Sequence, residues 1–442
     1  MSAAMPHPRL LAAVLLAALG VALITRAPSQ TATTMPPIAP QPQPAPNRAH
    51  AVITGAERLE AAGFAPLAGK RVGLIANHTA RIRDQHLADV LSKAPDVRLA
   101  AIFAPEHGFR GTAEAGADVG DGVDARTGAP IYSLYGATKA PTPTMLRNVD
   151  VLVFDIQDVG ARFYTYVSTM GLAMRAAAAA KIPFLVLDRP NPLGGEYVSG
   201  FVLEPQLRSF VGQYPIPMAH GLTVGELALM IKGEGWLEGL QGLDLRVLEM
   251  QRWQRAMRWP QTRRPWVPTS PNIPSFASAL VYPGMGLVGE MEVSEGRGTP
   301  SPFCLFGAPW LDAPRMTARL NALALPGLAF ETATFTPRAI AGVASRPRFE
   351  DRALVGTRLL ITDVAEVAPV ELGIHVLTLL VAEARRAGVG KLFGNVPMFD
   401  AIAGTKRLYR MLATGSGAVE IIVAWQGEVA RFRAQRARYL LY

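Results

Sequence analysis

One cysteine, Cys304, stands in 442 residues, so the chain can form no internal disulfide and offers no cysteine-based metal framework. It lies in the apolar stretch PFCLFGAPW with no histidine paired to it nearby, and reads as a small buried hydrophobe instead of a nucleophile. Other fingerprints are missing too. No Gly-x-Ser-x-Gly elbow is present, which argues against a standard α/β-hydrolase. No P-loop lysine exists and no GxGxxG follows a strand; GVGKLFG at 388–394 follows a helical pattern. No His/Cys/Asp/Glu spacing suggests a metal site, so neither metal nor cofactor is expected. There is no internal repeat.

Charge is also sparse. Only 18% of residues are charged, with a formal net charge of +9. A nucleic-acid binder gathers such charge into a stripe or tail. Here arginine is scattered, and its densest patches, 252–264 and 431–438, carry no nucleic-acid motif. No nucleic-acid partner is expected; an anionic wall, a membrane or an acidic sugar fits the balance better.

The apolar run 10–24 follows Arg9, contains no acid and falls short of the ~20 residues of a membrane span. Residues 1–28 therefore read as a signal peptide or, because the cleavage site near Thr25-Arg26-Ala27 is poor, an uncleaved N-terminal anchor. Pro- and Gln-rich sequence fills 29–50 as an extended linker. The folded part is expected outside the cytoplasm, periplasmic or extracellular, with inner-membrane anchoring as the alternative.

What is present is a repeated pattern. RVGLIA runs into Asn77-His78-Thr79, and VRLAAIFAP into Glu106-His107-Gly108. VDVLVF runs into Asp155, Gln157 and Asp158, and PFLVL into Asp188-Arg189-Pro190-Asn191. Continuous Val/Ile/Leu/Phe runs read as strands buried on both faces of a parallel sheet. In open parallel sheets the ligand crevice lies beyond the carboxyl ends of the strands. Helical stretches alternate with these runs, from ITGAERLEAAGF through DQHLADVLSKA to YVSTMGLAMRAAAAA and TVGELALMIKGEG, so an α/β domain is expected over 51–268. The long loop 108–143, with Arg110, Asp118, Asp121 and Tyr135, suits a substrate cover.

A chain this long exceeds one ordinary core. A smaller α+β domain is expected over 269–442. It opens on the Gly-rich loop YPGMGLVGEMEVSEGRGTPSP and ends in a single helix, VEIIVAWQGEVARFRAQRARYLL.

Glu106 is the sharpest candidate for chemistry: a carboxylate at the sheet's carboxyl edge is placed for general acid work. The bland alternative is a loop acid paired with Arg110. His78 and His107 hold matching strand ends, as substrate donors or structural histidines. Asp155 and Gln157 share one side of their strand, and Arg162, Tyr164 and Tyr166 follow. Acids, an arginine and phenols so close together suit a carbohydrate, unless an Asp–Arg pair simply fixes the turn.

These motifs carry a resemblance. GLIANHTAR, IFAPEHGFRG, VDVLVFDIQDVGARFYTYVSTM, PFLVLDRPNPLGG, YPIPMAHGLTVGELA, SPNIPS and SEGRGTPSPF stand in the same order as in the exo-β-N-acetylmuramidase family of bacterial glycoside hydrolases, which the chain resembles from about residue 51 to its end. The resemblance implies a Rossmann-like N-terminal domain, a smaller C-terminal domain and a cleft between them. It implies release of N-acetylmuramic acid from the non-reducing end of peptidoglycan fragments, with Glu106 of the PEHGFRG motif as the acid. The second catalytic group would be Asp155, Asp158 or Glu295. Arg110, Arg162 or Arg297 would clamp the lactyl carboxylate, and Asn77, His78, His107, Gln157, Tyr164, Arg189, Asn191 and Asn272 would complete the substrate site. One stretch departs: where the family commonly has Glu-Gly-Thr-Asn, residues 289–292 read Gly-Glu-Met-Glu. A non-catalytic muropeptide or wall-sugar receptor is the alternative, and a wall esterase or amidase a third reading. The oligomeric state stays open.

Overall fold

The computed structural model describes residues 50–110 and 120–442. The apolar run 10–24, the Pro-rich stretch as far as residue 49, and Asp118 lie outside the described residues. The apolar runs form the expected strands: β1 (Lys70–Ala76), then a two-residue hairpin β2 (Arg81–Ile82) and β3 (Gln85–His86), β4 (Val97–Ala104), β5 (Gly122–Val123), β6 (Pro130–Ser133), β7 (Val151–Asp155), β8 (Phe184–Leu187) and β9 (Leu245–Leu248). Seven of them make one sheet in the order β5-β6-β4-β1-β7-β8-β9. Every neighbouring pair is parallel except β5–β6. Counting the parallel strands alone in chain order gives 3-2-1-4-5-6, a doubly wound sheet whose order reverses between β1 and β7. Ala76 pairs with Asp155 across that reversal. Register therefore brings Asn77-His78 against the turn 155–158.

Side chains alternate between two cores. Val72 and Leu74 of β1 and Val151 and Val153 of β7 pack on one face, against α1 (Gly55–Ala61) and α2 (Leu87–Leu91). Ile75, Leu152 and Phe154 join the larger core on the other face. There they meet α4 (Tyr166–Ala180) and α5 (Val224–Gly233), while the short α3 (Pro143–Leu146) precedes β7. Burial on both faces is why these runs are uninterrupted. The helix expected over 84–94 is shortened at its start, because the hairpin takes residues 81–86 and His86 caps α2: its Nδ1 accepts from the Ala88 amide at 3.1 Å.

The remaining chain is α6 (Phe276–Met285), a three-stranded antiparallel sheet of β10 (Leu305–Gly307), β12 (Leu354–Ile361) and β11 (Leu328–Phe335), α7 (Ala313–Ala322), α8 (Pro369–Arg386), α9 (Val396–Ala403) and α10 (Arg407–Thr414). Helices α6 and α8 touch backbone to backbone. A Cβ on Gly284 would sit 2.0 Å from the Pro369 carbonyl, and one on Gly373 2.4 Å from the Gly284 Cα. Two expectations are corrected here. The loop expected from Tyr282 onward is helical through Met285; Pro283 lies in the last turn and gives up the amide bond that would have reached the Ala279 carbonyl. The single C-terminal helix is two, α11 (Ala418–Ala424) and α12 (Gln426–Arg436), broken at the fully buried Trp425. The chain then returns to the sheet, where the Tyr442 hydroxyl donates to Asp188 Oδ2 at 2.7 Å.

Candidate active site

Glu106 follows the end of β4 by two residues. His107 (φ 69°) and Gly108 (φ 76°) are both left-handed, and two such residues in succession turn the backbone sharply. A non-glycine residue held there is strained, an outlier of the kind found at functional sites. The Glu106 carboxylate is half-buried, and the Thr165 hydroxyl donates to its Oε2 at 2.5 Å. Thr165 is the N-cap of α4, yet its side chain caps nothing; the hydroxyl is spent on Glu106 instead.

Asp158 lies in the turn after β7, 5% exposed. Its Oδ2 accepts from the Gly160 amide at 2.6 Å, while Oδ1 is buried with no partner. His220, 1% exposed, accepts from the Leu222 amide on Nδ1 at 3.1 Å, which assigns its proton to Nε2. That Nε2 lies 3.7 Å from Asp158 Oδ2. Tyr164 and Tyr166 donate to the Thr269 side chain and carbonyl, each at 2.9 Å.

Tyr282 of α6 joins the halves. Its ring centroid lies 5.1 Å from that of Phe163, 5.9 Å from Tyr164 and 4.9 Å from Phe303. Burial pushes its phenol above the ordinary range, and the charges of Glu106, Glu290 and Asp158 add to this, while Arg297 opposes it. The phenol is therefore neutral, and the charges acting on it come from both parts of the chain.

Other strand-end residues are committed elsewhere. Asp155 is 0% exposed, and both its oxygens are held by Arg189, Nε–Oδ1 at 2.5 Å and Nη2–Oδ2 at 2.8 Å. Burial pushes the Asp155 carboxyl up and the Arg189 charge opposes it. The pair is structural, which removes Asp155 from the catalytic candidates and Arg189 from the substrate-binding ones. Arg162 is corrected as an anion clamp. It is 1% exposed and donates to the carbonyls of Phe201 (2.7 Å), Ile216 (2.9 Å) and Ile402 (2.8 Å), and burial pulls its pKa down to about 9. Gln157 ties the carbonyls of Asp158 and Pro190, and Asn191 bonds Leu222 and Leu193, so both build the turns. Arg110 pairs with Asp124 at 2.7 Å and Asp89 at 3.3 Å.

A second group keeps unused atoms. Asn77 Oδ1 takes both the amide and the hydroxyl of Thr79, but its Nδ2 is buried without a partner. His78 bonds the Pro268 carbonyl through Nε2, and its buried Nδ1 has no partner. Burial lowers the His78 pKa. Asn272 donates to Val343 at 2.7 Å and leaves Oδ1 buried and unpaired. Glu295 meets Arg297 at 3.2 Å, and the Arg297 Nε is also buried and unpaired.

The divergent stretch 289–292 forms the end of a 3₁₀ turn and the residues after it. Gly289 leaves space beside Glu295, since a Cβ there would lie 3.6 Å from its Oε1. Glu290 is half-buried, with burial raising its carboxyl and Arg297 opposing; Glu292 pairs with Arg348 at 2.8 Å. Cys304 is buried, and burial pushes its thiol up to about 12. Among the described residues no group of three or more His, Cys, Asp or Glu is placed to hold a metal.

Thr165, His220, Thr269 and Tyr282 are not singled out by the sequence, and Glu290 enters it only within the divergent stretch 289–292. His220 and Tyr282 stand inside quotable motifs, MAHGLT and YPGM, and nothing local separates them from scaffold.

Two sequence profiles cover this assembly. The one described as exo-β-N-acetylmuramidase NamZ, N-terminal, matches residues 72–277, and its C-terminal counterpart matches 280–442. The chain belongs to the NamZ exo-β-N-acetylmuramidase family. It is 42% identical over 395 residues to the peptidoglycan β-N-acetylmuramidase NamZ of Bacillus subtilis (strain 168), covering 88% of this chain and 91% of that one. Crystal structures of two DUF1343 family proteins from Bacteroides fragilis NCTC 9343 share the fold. One has a TM-score of 0.81 at 39% identity over 89% of this chain and 99% of that one; the other has 0.72 at 34% over 88% and 99%. The junction between the NamZ profiles falls at the start of α6. Glu106 and Asp158 thus come from the first part, and Tyr282, Glu290 and Arg297 from the second.

Proposed function

We infer that the protein is a glycoside hydrolase, an exo-acting β-N-acetylmuramidase that removes terminal non-reducing N-acetylmuramic acid from peptidoglycan fragments. Family membership supports the activity. The observation that carries the chemistry is a pair of carboxylates at the strand ends, Glu106 oriented by Thr165 and Asp158 with a free buried oxygen, whose charges both act on the Tyr282 phenol. In this reading Glu106 gives its proton to the leaving glycosidic oxygen as the bond to the anomeric carbon breaks. Asp158 accepts a hydrogen bond through Oδ1 from the displacing group, either water or the sugar's acetamido N–H. Tyr282 donates to a substrate oxygen. The receptor alternative is not favoured, because it leaves the Glu106–Thr165 arrangement without a use.

The proposal extends to where the protein works. The apolar run 10–24 behind Arg9, followed by Pro-rich sequence, supports export to the periplasm or beyond, as a signal peptide or anchor. Among the described residues no helix is long and apolar enough to cross a membrane.

The test is hydrolysis of a chromogenic β-N-acetylmuramide beside its β-N-acetylglucosaminide. Release from the muramide alone is expected. Binding of N-acetylmuramic acid without turnover of either substrate would establish the receptor instead.

A further inference from the structure

A cavity of about 480 Å³ is lined by His78, just past the end of β1, and by Arg110, four residues after Glu106. Four lining side chains carry a permanent positive charge: Arg81, Lys93, Arg110 and Arg126. Two acids, Asp84 and Asp89, line it as well. Asp89 is shared by Arg110 and Arg126, each at 3.3 Å, and Arg110 is further neutralised by Asp124. Arg81 differs. Among the described residues it has no ion pair; its Nη2 donates to the Asp84 carbonyl at 3.0 Å, and its Nε is buried without a partner. Its charge acts on both histidines of the pocket, since it opposes protonation of His78 and of His86. The backbone of Arg81 is fixed as well: Arg189, locked to Asp155, donates Nη2 to the Arg81 carbonyl at 3.2 Å.

We propose that this pocket is the anion subsite of the enzyme, taking the lactyl carboxylate of the terminal muramic acid on Arg81. The proposal rests on the muramidase reading. Burial removes Arg162 from the role, and Arg297 has Glu295 at 3.2 Å with Glu290 nearby. A buried guanidinium nitrogen with no bond is costly until a ligand supplies one, and an anion supplies the strongest. His78 Nδ1, the pocket's other buried unpaired nitrogen, accepts from a sugar hydroxyl when neutral.

The experiment compares an aryl β-N-acetylmuramide with its lactyl methyl ester on the purified protein and on Arg81→Gln. The wild type should favour the acid by about 10- to 100-fold in kcat/KM, the range of a hydrogen bond to a charged group. Arg81→Gln should bring the acid down to the level of the ester, chiefly through KM, and leave the ester within about threefold, as expected for lost uniform binding. Arg81→Lys, keeping charge but not the Nε donor, should fall between. Equal use of acid and ester by the wild type overturns the proposal, as does an equal loss on both in Arg81→Gln. The wild-type comparison decides even where the variant does not fold. If neither muramide is hydrolysed, the muramidase reading fails separately. Calorimetric binding of N-acetylmuramic acid and its methyl ester then decides the pocket: a preference for the acid that Arg81→Gln abolishes sustains it, and no preference ends it.

Discussion

Two sets of polar residues share the carboxyl edge of the same sheet, and they differ in saturation. At the ends of β7 and β8, Asp155 spends both oxygens on Arg189, and Asp188 accepts from Thr223, Gly225, Arg189 and Tyr442. Around Glu106 and Asp158, buried atoms are left over: Asp158 Oδ1, Asn77 Nδ2, His78 Nδ1 and Asn272 Oδ1. Buried polar atoms are normally paired, so a cluster of exceptions asks for a ligand. Position on the sheet is alike in the two sets. At these strand ends leftover valence marks the site and closed carboxylates mark the scaffold.

The sharpest way to break this contrast is a substitution on each side of it. Glu106→Gln keeps shape and most hydrogen bonding but cannot give up a proton. Turnover of the muramide should fall by about 100- to 10,000-fold, the usual worth of general acid catalysis, while the thermal midpoint stays within a degree or two. Turnover near that of the wild type would remove Glu106 from the chemistry. Asp155→Asn should do the reverse. It strands the Arg189 charge in the core, and breaking a buried pair from one side costs about 3–5 kcal/mol. Denaturant unfolding should show that loss, with kcat per folded molecule little changed. Asp155→Leu combined with Arg189→Met should recover much of the stability, since a buried pair replaced by apolar residues is often neutral.

How far these roles can be read in advance follows from where their partners lie. The strands are legible because burial on both faces leaves unbroken apolar runs. The crevice is legible because each run stops at polar residues. The reversal of strand order between β1 and β7 is not encoded in any one run. Saturation is hidden for the same reason: Asp188 meets Tyr442, Arg162 meets Ile402, and Tyr164 meets Thr269, each pair far apart in sequence. Asp155 and Asp158 sit three residues apart at one strand end, yet one is closed and the other open. Tyr282 is concealed differently, because a following Pro-Gly suggests a loop where α6 in fact continues.

Acid should sharpen the contrast within the scaffold itself. Burial pulls His86 from 6.5 down to about 4, because the fold holds it neutral, with Nε2 on the Asn77 carbonyl and Nδ1 capping α2. Its contribution is full above pH 6.5 and is lost as pH falls toward 4, about 3 kcal/mol across that window. Asp188 runs the other way. Burial raises it from 3.8 to about 6, so its contribution is full below pH 3.8 and lost as pH rises through 6. Thermal midpoints at pH 7 and 4.5 should therefore fall less for His86→Gln than for the wild type, and more for Asp188→Asn. Parallel curves for all three would show that neither group is held as described.

The smallest effect tests the link between the two sets. Thr165 belongs to the scaffold as the N-cap of α4 and to the site through its bond to Glu106. Thr165→Val removes the hydroxyl and keeps the shape. Because that hydroxyl caps no amide, helix stability should change by less than the ~1 kcal/mol of an ordinary lost cap. Turnover should fall about tenfold, the lower end for a hydrogen bond to a charged group, with KM nearly constant. Thr165→Ser should restore most of it. A variant that loses stability while keeping kcat would place Thr165 with the saturated scaffold, and Glu106 would then be oriented by other neighbours.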